Sequence, residues 1–179
     1  MHKQRLSPAG FITKSSNTMK KLNEILYDAI CADATLMAKV AYTKQTGGTG
    51  YAIKSTCFEV PPDELDNTPL PNIIITNDGF QAQIFTKDDI WDNDTDTVQA
   101  TIDIAANSPE EVEQMIDMAR KAVNTYINAM YENDQDIPTL KSLQSDGLSW
   151  DWEKPCYYQK LYYTCDASNG IADNQENNE

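Results

Sequence analysis

Between Thr97 and Met130 the spacing of apolar residues changes period once, and the change marks a strand that feeds a long helix. Val98, Ala100, Ile102, Ile104 and Ala106 alternate with Thr97, Gln99, Thr101, Asp103 and Ala105, the period of two of a half-buried strand. Ser108-Pro109-Glu110-Glu111 then reads as a capping box, with proline at the first helical position and Glu111 able to reach back to the cap. Beyond it Val112, Met115, Ile116, Ala119, Ala122, Val123, Tyr126, Ile127 and Met130 recur in steps of three and four, one continuous apolar helical face. Glu110, Glu111 and Glu113 crowd the start while Arg120 and Lys121 follow, the order the helix dipole favours.

The same reading orders the rest of the chain. From Asn17, an N-cap residue, Met19, Leu22, Ile25, Leu26, Ala29 and Ile30 predict an amphipathic helix, and Asp33 recaps a short piece through Leu36, Met37 and Val40. Gln45–Gly50 is a glycine-rich loop or hairpin tip, residues 51–60 a strand ended by Pro61-Pro62, and Asn72–Thr76 a buried strand. Asn77-Asp78-Gly79 reads as a turn before a further strand over Phe80–Phe85, and Lys87–Asp96 as an acidic loop. After Ile137-Pro138, Leu148, Trp150 and Trp152 alternate with polar residues, Lys154-Pro155 turns the chain, and Cys156–Cys165 forms an aromatic strand, together a hairpin. The predicted class is α+β, two helices packed on one antiparallel or mixed sheet in the order α-β-β-β-α-β-β. Residues 1–16 are expected to be a flexible basic arm, 17–166 a single domain and 167–179 a disordered acidic tail.

Charge changes this picture most. With 14 Lys+Arg against 28 Asp+Glu the chain carries -14, which argues against general binding to nucleic acid or anionic membrane. Residues 1–23 hold Lys3, Arg5, Lys14, Lys20 and Lys21 and no acid, and residues 166–179 hold four acids and no base. Removing that +5 and -4 from -14 leaves -15 for residues 24–165. The first twenty residues lack the apolar stretch of a secretory signal, and no apolar run reaches membrane-spanning length. Cys31, Cys57, Cys156 and Cys165 form no CxxC pair; Cys156 and Cys165, nine steps apart on one strand at roughly 3.3 Å each, are too distant to join. Free thiols in a reducing cytoplasm are the expectation.

Familiar catalytic patterns fail. His2 is the sole histidine and sits at the terminus, which argues against histidine-based nucleophile systems and histidine metal sites. Gly47-Gly48-Thr49-Gly50 lacks the lysine and Ser/Thr of a phosphate-binding loop. Asp92-Asn93-Asp94-Thr95-Asp96 opens like a calcium loop, but Thr97 stands where that loop needs glycine. Asp88, Asp89, Asp92, Asp94 and Asp96 are therefore read as a solvated turn or lumen-facing charge, with a weak calcium site or a two-metal nuclease as the alternatives. No catalytic, cofactor or metal residue is assigned. On the aromatic strand one parity belongs to the core; the other, with Tyr158 and Tyr162, must face solvent or a neighbour.

The leading helix Leu22–Val40, the prolines Pro61-Pro62 and Pro69-Leu70-Pro71 opening into Asn72-Ile73-Ile74-Ile75, the strand Val98–Ala106 running into Ser108-Pro109-Glu110-Glu111-Val112, and a closing β segment follow one another in a familiar order. That order, covering residues 18–165, resembles the tail-terminator (tail-completion) proteins of long-tailed bacteriophages and their ring-forming head–tail joining relatives. The resemblance implies a non-enzymatic virion protein of the tail or neck, assembled in the host cytoplasm. It implies a homo-oligomeric ring, a hexamer or a dodecamer, contacting tail-tube and neck or head-completion proteins, with no membrane partner. DNA would pass through without sequence-specific binding, and a negative lumen would keep the polyanion from sticking. Lys3, Arg5 and Lys14 of the arm, with Tyr158 and Tyr162, are the expected interface residues, since an arm of opposite sign to the body can reach a neighbouring subunit. The other reading is a cytoplasmic adaptor module that uses the aromatic C-terminal hairpin.

Overall fold

The computed structural model describes residues 21–56, 68–82, 95–133 and 138–168. Helices α1 (Leu22–Ala32) and α2 (Ala34–Lys39) lead into strands β1 (Ala41–Thr43), β2 (Thr49–Tyr51), β3 (Ile53–Thr56), β4 (Asn72–Ala82) and β5 (Thr95–Ala106). Helix α3 (Pro109–Glu132) and strands β6 (Thr139–Ser145), β7 (Ser149–Asp151) and β8 (Cys156–Ser168) complete the chain. The class is α+β. Six strands form a mixed sheet in the order β3-β4-β5-β8-β6, with β7 also pairing β8, and β1-β2 form a separate two-stranded sheet. Among the described residues only the β3–β4 pairing is parallel.

Local chemistry places the helix ends. Asp33 joins the two helices: its amide donates to the Ile30 carbonyl at the end of α1, and its side chain accepts from the amides of Thr35 and Leu36 at 3.0 and 2.9 Å to start α2. Ser108 Oγ accepts from the Glu111 amide at 3.2 Å and Pro109 occupies the first turn of α3. Helix α1 begins later than expected, with Lys21 rather than Asn17 in the cap position; the Lys21 amide donates to Glu24 Oε2 at 3.3 Å. Asn17 and Met19 lie outside the described residues.

Both long helices cover one face of the sheet. Leu22, Ile25, Leu26, Ala29 and Ile30 of α1 and Val112, Met115, Ile116, Ala119, Val123 and Ile127 of α3 are buried in one cluster with Ile73, Ile75, Ala100, Ile102, Ile104, Leu161, Tyr163 and Cys165. Glu113, Asp117 and Lys121 on the opposite side of α3 are exposed, as its 3.6-residue period requires.

Four expectations are corrected. Within the region read as one strand over 51–60, the chain breaks at Ala52 between β2 and β3, with β1 added before them, and residues 57–60 lie outside the described residues. Asn77-Asp78-Gly79 does not reverse the chain. It is a bulge inside one eleven-residue strand: Asn77 pairs with Ala100 and Gly79 with Gln99, leaving Asp78 as the extra residue. Gly79 has φ 95°, the left-handed conformation such a bulge favours, and its amide donates to Asn77 Oδ1 at 3.1 Å. Strand β6 was not foreseen. Finally, Ala167 and Ser168, expected in the tail, extend β8, where they pair with Asp96 and Thr95.

Candidate interaction surface

The face of the sheet turned away from the helices carries the outward parity of each strand, polar on β5 and β8 apart from Ala105 and Cys156 and including Ile74 on β4. Register brings Ile74 of β4, Asp103 of β5 and Lys160 of β8 into one row, and Thr76, Thr101 and Tyr162 into the next. Strand alternation decides which residues arrive here: Leu161 and Tyr163 point into the core, so Lys160 and Tyr162 point out.

Four aspartates surround this row. Asp103 Oδ2 lies 3.7 Å from Lys160 Nζ. Tyr162 donates its hydroxyl to Asp146 Oδ2 at 2.6 Å, Asp146 following the end of β6. Asp78, held out by the bulge, accepts from the Thr76 hydroxyl at 3.1 Å and from the Thr101 hydroxyl. Asp151 closes β7, where its Oδ1 accepts from the amides of Glu153 and Lys154 at 2.9 and 3.2 Å and shapes the turn into β8.

The charges act on one another. Burial pushes the Asp103 carboxyl above its ordinary range; Lys160 opposes that shift, while Asp146 and Asp151 add to it. The bond to Asp146 holds the Tyr162 hydroxyl protonated, its pKa pushed up to about 12, with Asp103 and Asp78 reinforcing the effect. Two recesses open on this face. One of about 270 Å³ is bounded by Asp103, Lys160, Tyr158, Asp151 and Cys156. The other, about 480 Å³, lies among Asp78, Thr101, Lys160 and Tyr162. The surface is thus acidic, aromatic and already hydrogen-bonded.

The sequence-predicted site residues divide sharply. Tyr158 and Tyr162 share this outer face and are half-buried. Lys3, Arg5 and Lys14 lie outside the described residues, as do Asp88, Asp89, Asp92 and Asp94. Asp96 is a correction: it is a strand residue of β5, paired with Ala82 and Ala167, because the β4–β5–β8 ladder extends that far and draws it out of the loop. Asp166, at the predicted end of the domain, is in the sheet, bridged to Lys141 Nζ at 2.9 Å. Cys31, Cys156 and Cys165 are free thiols, and burial pushes the Cys165 thiol up to about 12. Cys57 lies outside the described residues. Among the described residues no three metal-ligating side chains converge, and no helix is long and apolar enough to cross a membrane.

Sequence reasoning missed two features. Asp103, Asp146 and Tyr162 meet only through sheet register, which no local pattern reveals. Gln45–Gly50, which the sequence reads as a glycine-rich loop or hairpin tip, forms the turn and the start of β2; what the sequence misses is strand β1 and the exposure of Tyr42 and Tyr51, at 37% and 50%. Comparison with known protein-family models and with curated proteins finds no match for the chain.

Proposed function

We propose that this chain is a structural, non-enzymatic subunit that assembles with copies of itself into a ring of the phage tail-terminator or head–tail joining type. The reading rests on the resemblance in element order and on one observation. Among the described residues the sheet has helices on one face alone, while the other face gathers Tyr158, Tyr162 and four aspartates. Aromatic residues on a folded, helix-free face are typical of contact surfaces. In this reading the acidic charge faces neighbours or a DNA-conducting lumen, and the basic arm crosses to the next subunit.

Mass photometry and negative-stain imaging of the full-length protein over rising concentration, alone and with a tail-tube protein, test the proposal. Closed rings are expected. Removing residues 1–16 should leave the domain folded but weaken assembly, and added salt should act in the same direction, because exposed charge pairs are screened. A chain that stays monomeric and ignores tail-tube protein would overturn the reading.

One observation favours the adaptor alternative. Trp152, at the β7–β8 turn, is 87% exposed, with Trp150 edge-on to it at 6.2 Å. An adaptor using that tip remains monomeric or dimeric, so assembly mass separates the two.

A further inference from the structure

The β1–β2 hairpin stands apart from the rest of the fold. Its strands pair only through Ala41–Tyr51, Tyr42–Gly50 and Thr43–Thr49, and every residue from Ala41 to Tyr51 except Gly50 is exposed. Gly50 is buried because the Tyr42 ring lies on it: a Cβ there would come within 2.6 Å of the ring. The chain reverses tightly, the Lys44 amide donating to the Gly48 carbonyl at 3.0 Å. At its base the Ala52 amide donates to the Val40 carbonyl at 2.8 Å, closing the hairpin, and the Ala52 carbonyl accepts from the Ile73 amide of β4 at 2.9 Å, tying it to the sheet. A two-stranded ribbon in water is marginally stable by itself and gains most from packing on another surface.

Charge indicates which surface. Residues 34–58, which span the hairpin, contain Lys39, Lys44 and Lys54 and no acid, within a body of strongly negative charge. We propose that the hairpin of one copy docks on the acidic outer face of a second copy, laying Tyr51 and Lys44 against the surface formed by Asp78, Asp103, Asp146 and Tyr162. This inference rests on the ring reading above and specifies its subunit contact. The hairpin leaves the sheet beside edge strand β3, whereas the acidic face lies on the outer side of β4, β5 and β8, next to the end of β6. Donor and acceptor surfaces that differ make a heterologous, head-to-tail contact, the kind that closes a ring when the rotation permits.

Replacement Tyr51→p-benzoylphenylalanine in the full-length protein, followed by irradiation of a mixture of isotopically heavy and light copies, tests the contact. Cross-links joining heavy to light chains and mapping to residues 76–78, 101–103, 144–151 or 158–162 are expected. Assembled protein whose cross-links fall elsewhere, on α3 for example, overturns the docking while leaving the ring intact. A chain that never assembles overturns both, and a cross-link to an added acidic protein alone reassigns the hairpin to a foreign partner. The double replacement Lys44→Glu and Tyr51→Ser should weaken self-association at least tenfold with an unchanged melting temperature, because neither side chain touches the core. Unchanged association in that variant also overturns the docking.

Discussion

Leu161, Tyr163 and Cys165 are wholly buried beneath the helices, whereas Tyr158, Lys160 and Tyr162, interleaved with them on the same strand, are half-buried among acids. The inner set is held by shape and by exclusion of water. The outer set is held by directed bonds to charge: Lys160 to Asp103 and Tyr162 to Asp146. The contrast teaches that one strand can carry a buried apolar face and a polar, charge-bonded face independently, because its alternation keeps the two apart. Inner changes should move stability; outer changes should move association and pH dependence.

The most severe way to test the inner side is Ile116→Asp. It places an unpaired charge in the packed core, a cost of several kcal/mol against a total stability of roughly 5–15 kcal/mol. Circular dichroism should show loss of the cooperative transition; a soluble, cooperatively melting variant would show that this face is not core. A smaller effect of opposite sign is expected at Tyr163, whose fully buried hydroxyl has no hydrogen-bond partner among the described residues. Tyr163→Phe removes that desolvated group and should stabilise the fold by about 1 kcal/mol, read as a rise in melting temperature of a few degrees.

On the outer side Tyr162→Phe should alter stability at neutral pH by only about 0.5 kcal/mol. Its signature lies in alkali. The folded-state pKa of Tyr162 is raised, so the stability it contributes is present at neutral pH and lost as pH rises from 10.0 through about 12. The variant should lose less stability across that window in pH-dependent denaturation. The smallest effect belongs to Asp103, a carboxyl whose pKa burial raises above its ordinary 3.8. A raised carboxyl pKa means that the folded state binds protons more readily, so stability falls as pH climbs from 3.8 through the raised value. Asp103→Asn should therefore stabilise slightly near neutrality, and the gain should vanish as the solution is acidified towards pH 3.8.

Much of the inner side could be read from the chain because it is local. The alternation of Val98–Ala106, the cap at Ser108 and the apolar stripe of α3 each lie within a few residues, and Asp33 declares a helix start by itself. Strand β6 escaped for a definite reason. Its register shifts between Leu140 and Ser142, so Leu140 and Leu143 face Cys165 and Tyr163 at a spacing of three, and a scan for period two passes over them. Strand β1 offers only exposed residues, with no buried parity to detect. On the outer face the parity of Tyr158 and Tyr162 was legible, whereas their acidic neighbours were not, since Tyr162 and Asp146 stand sixteen positions apart and meet only once the sheet is assembled.

The bulge at Asp78 has a consequence for kinship. Before it the odd positions Ile73 and Ile75 face the helices; after it Phe80, an even position, stands opposite Val98, which packs on the core. One extra residue has shifted the phase of the code halfway along β4. A distant cousin without that insertion must carry the reverse polar pattern beyond Asn77, or be shorter there by one residue. An ungapped comparison of two such chains would lose its match at this point although the folds agreed. A single gap placed at residue 78, with the pattern re-phased behind it, is therefore the adjustment by which divergent members of this lineage would be brought into line.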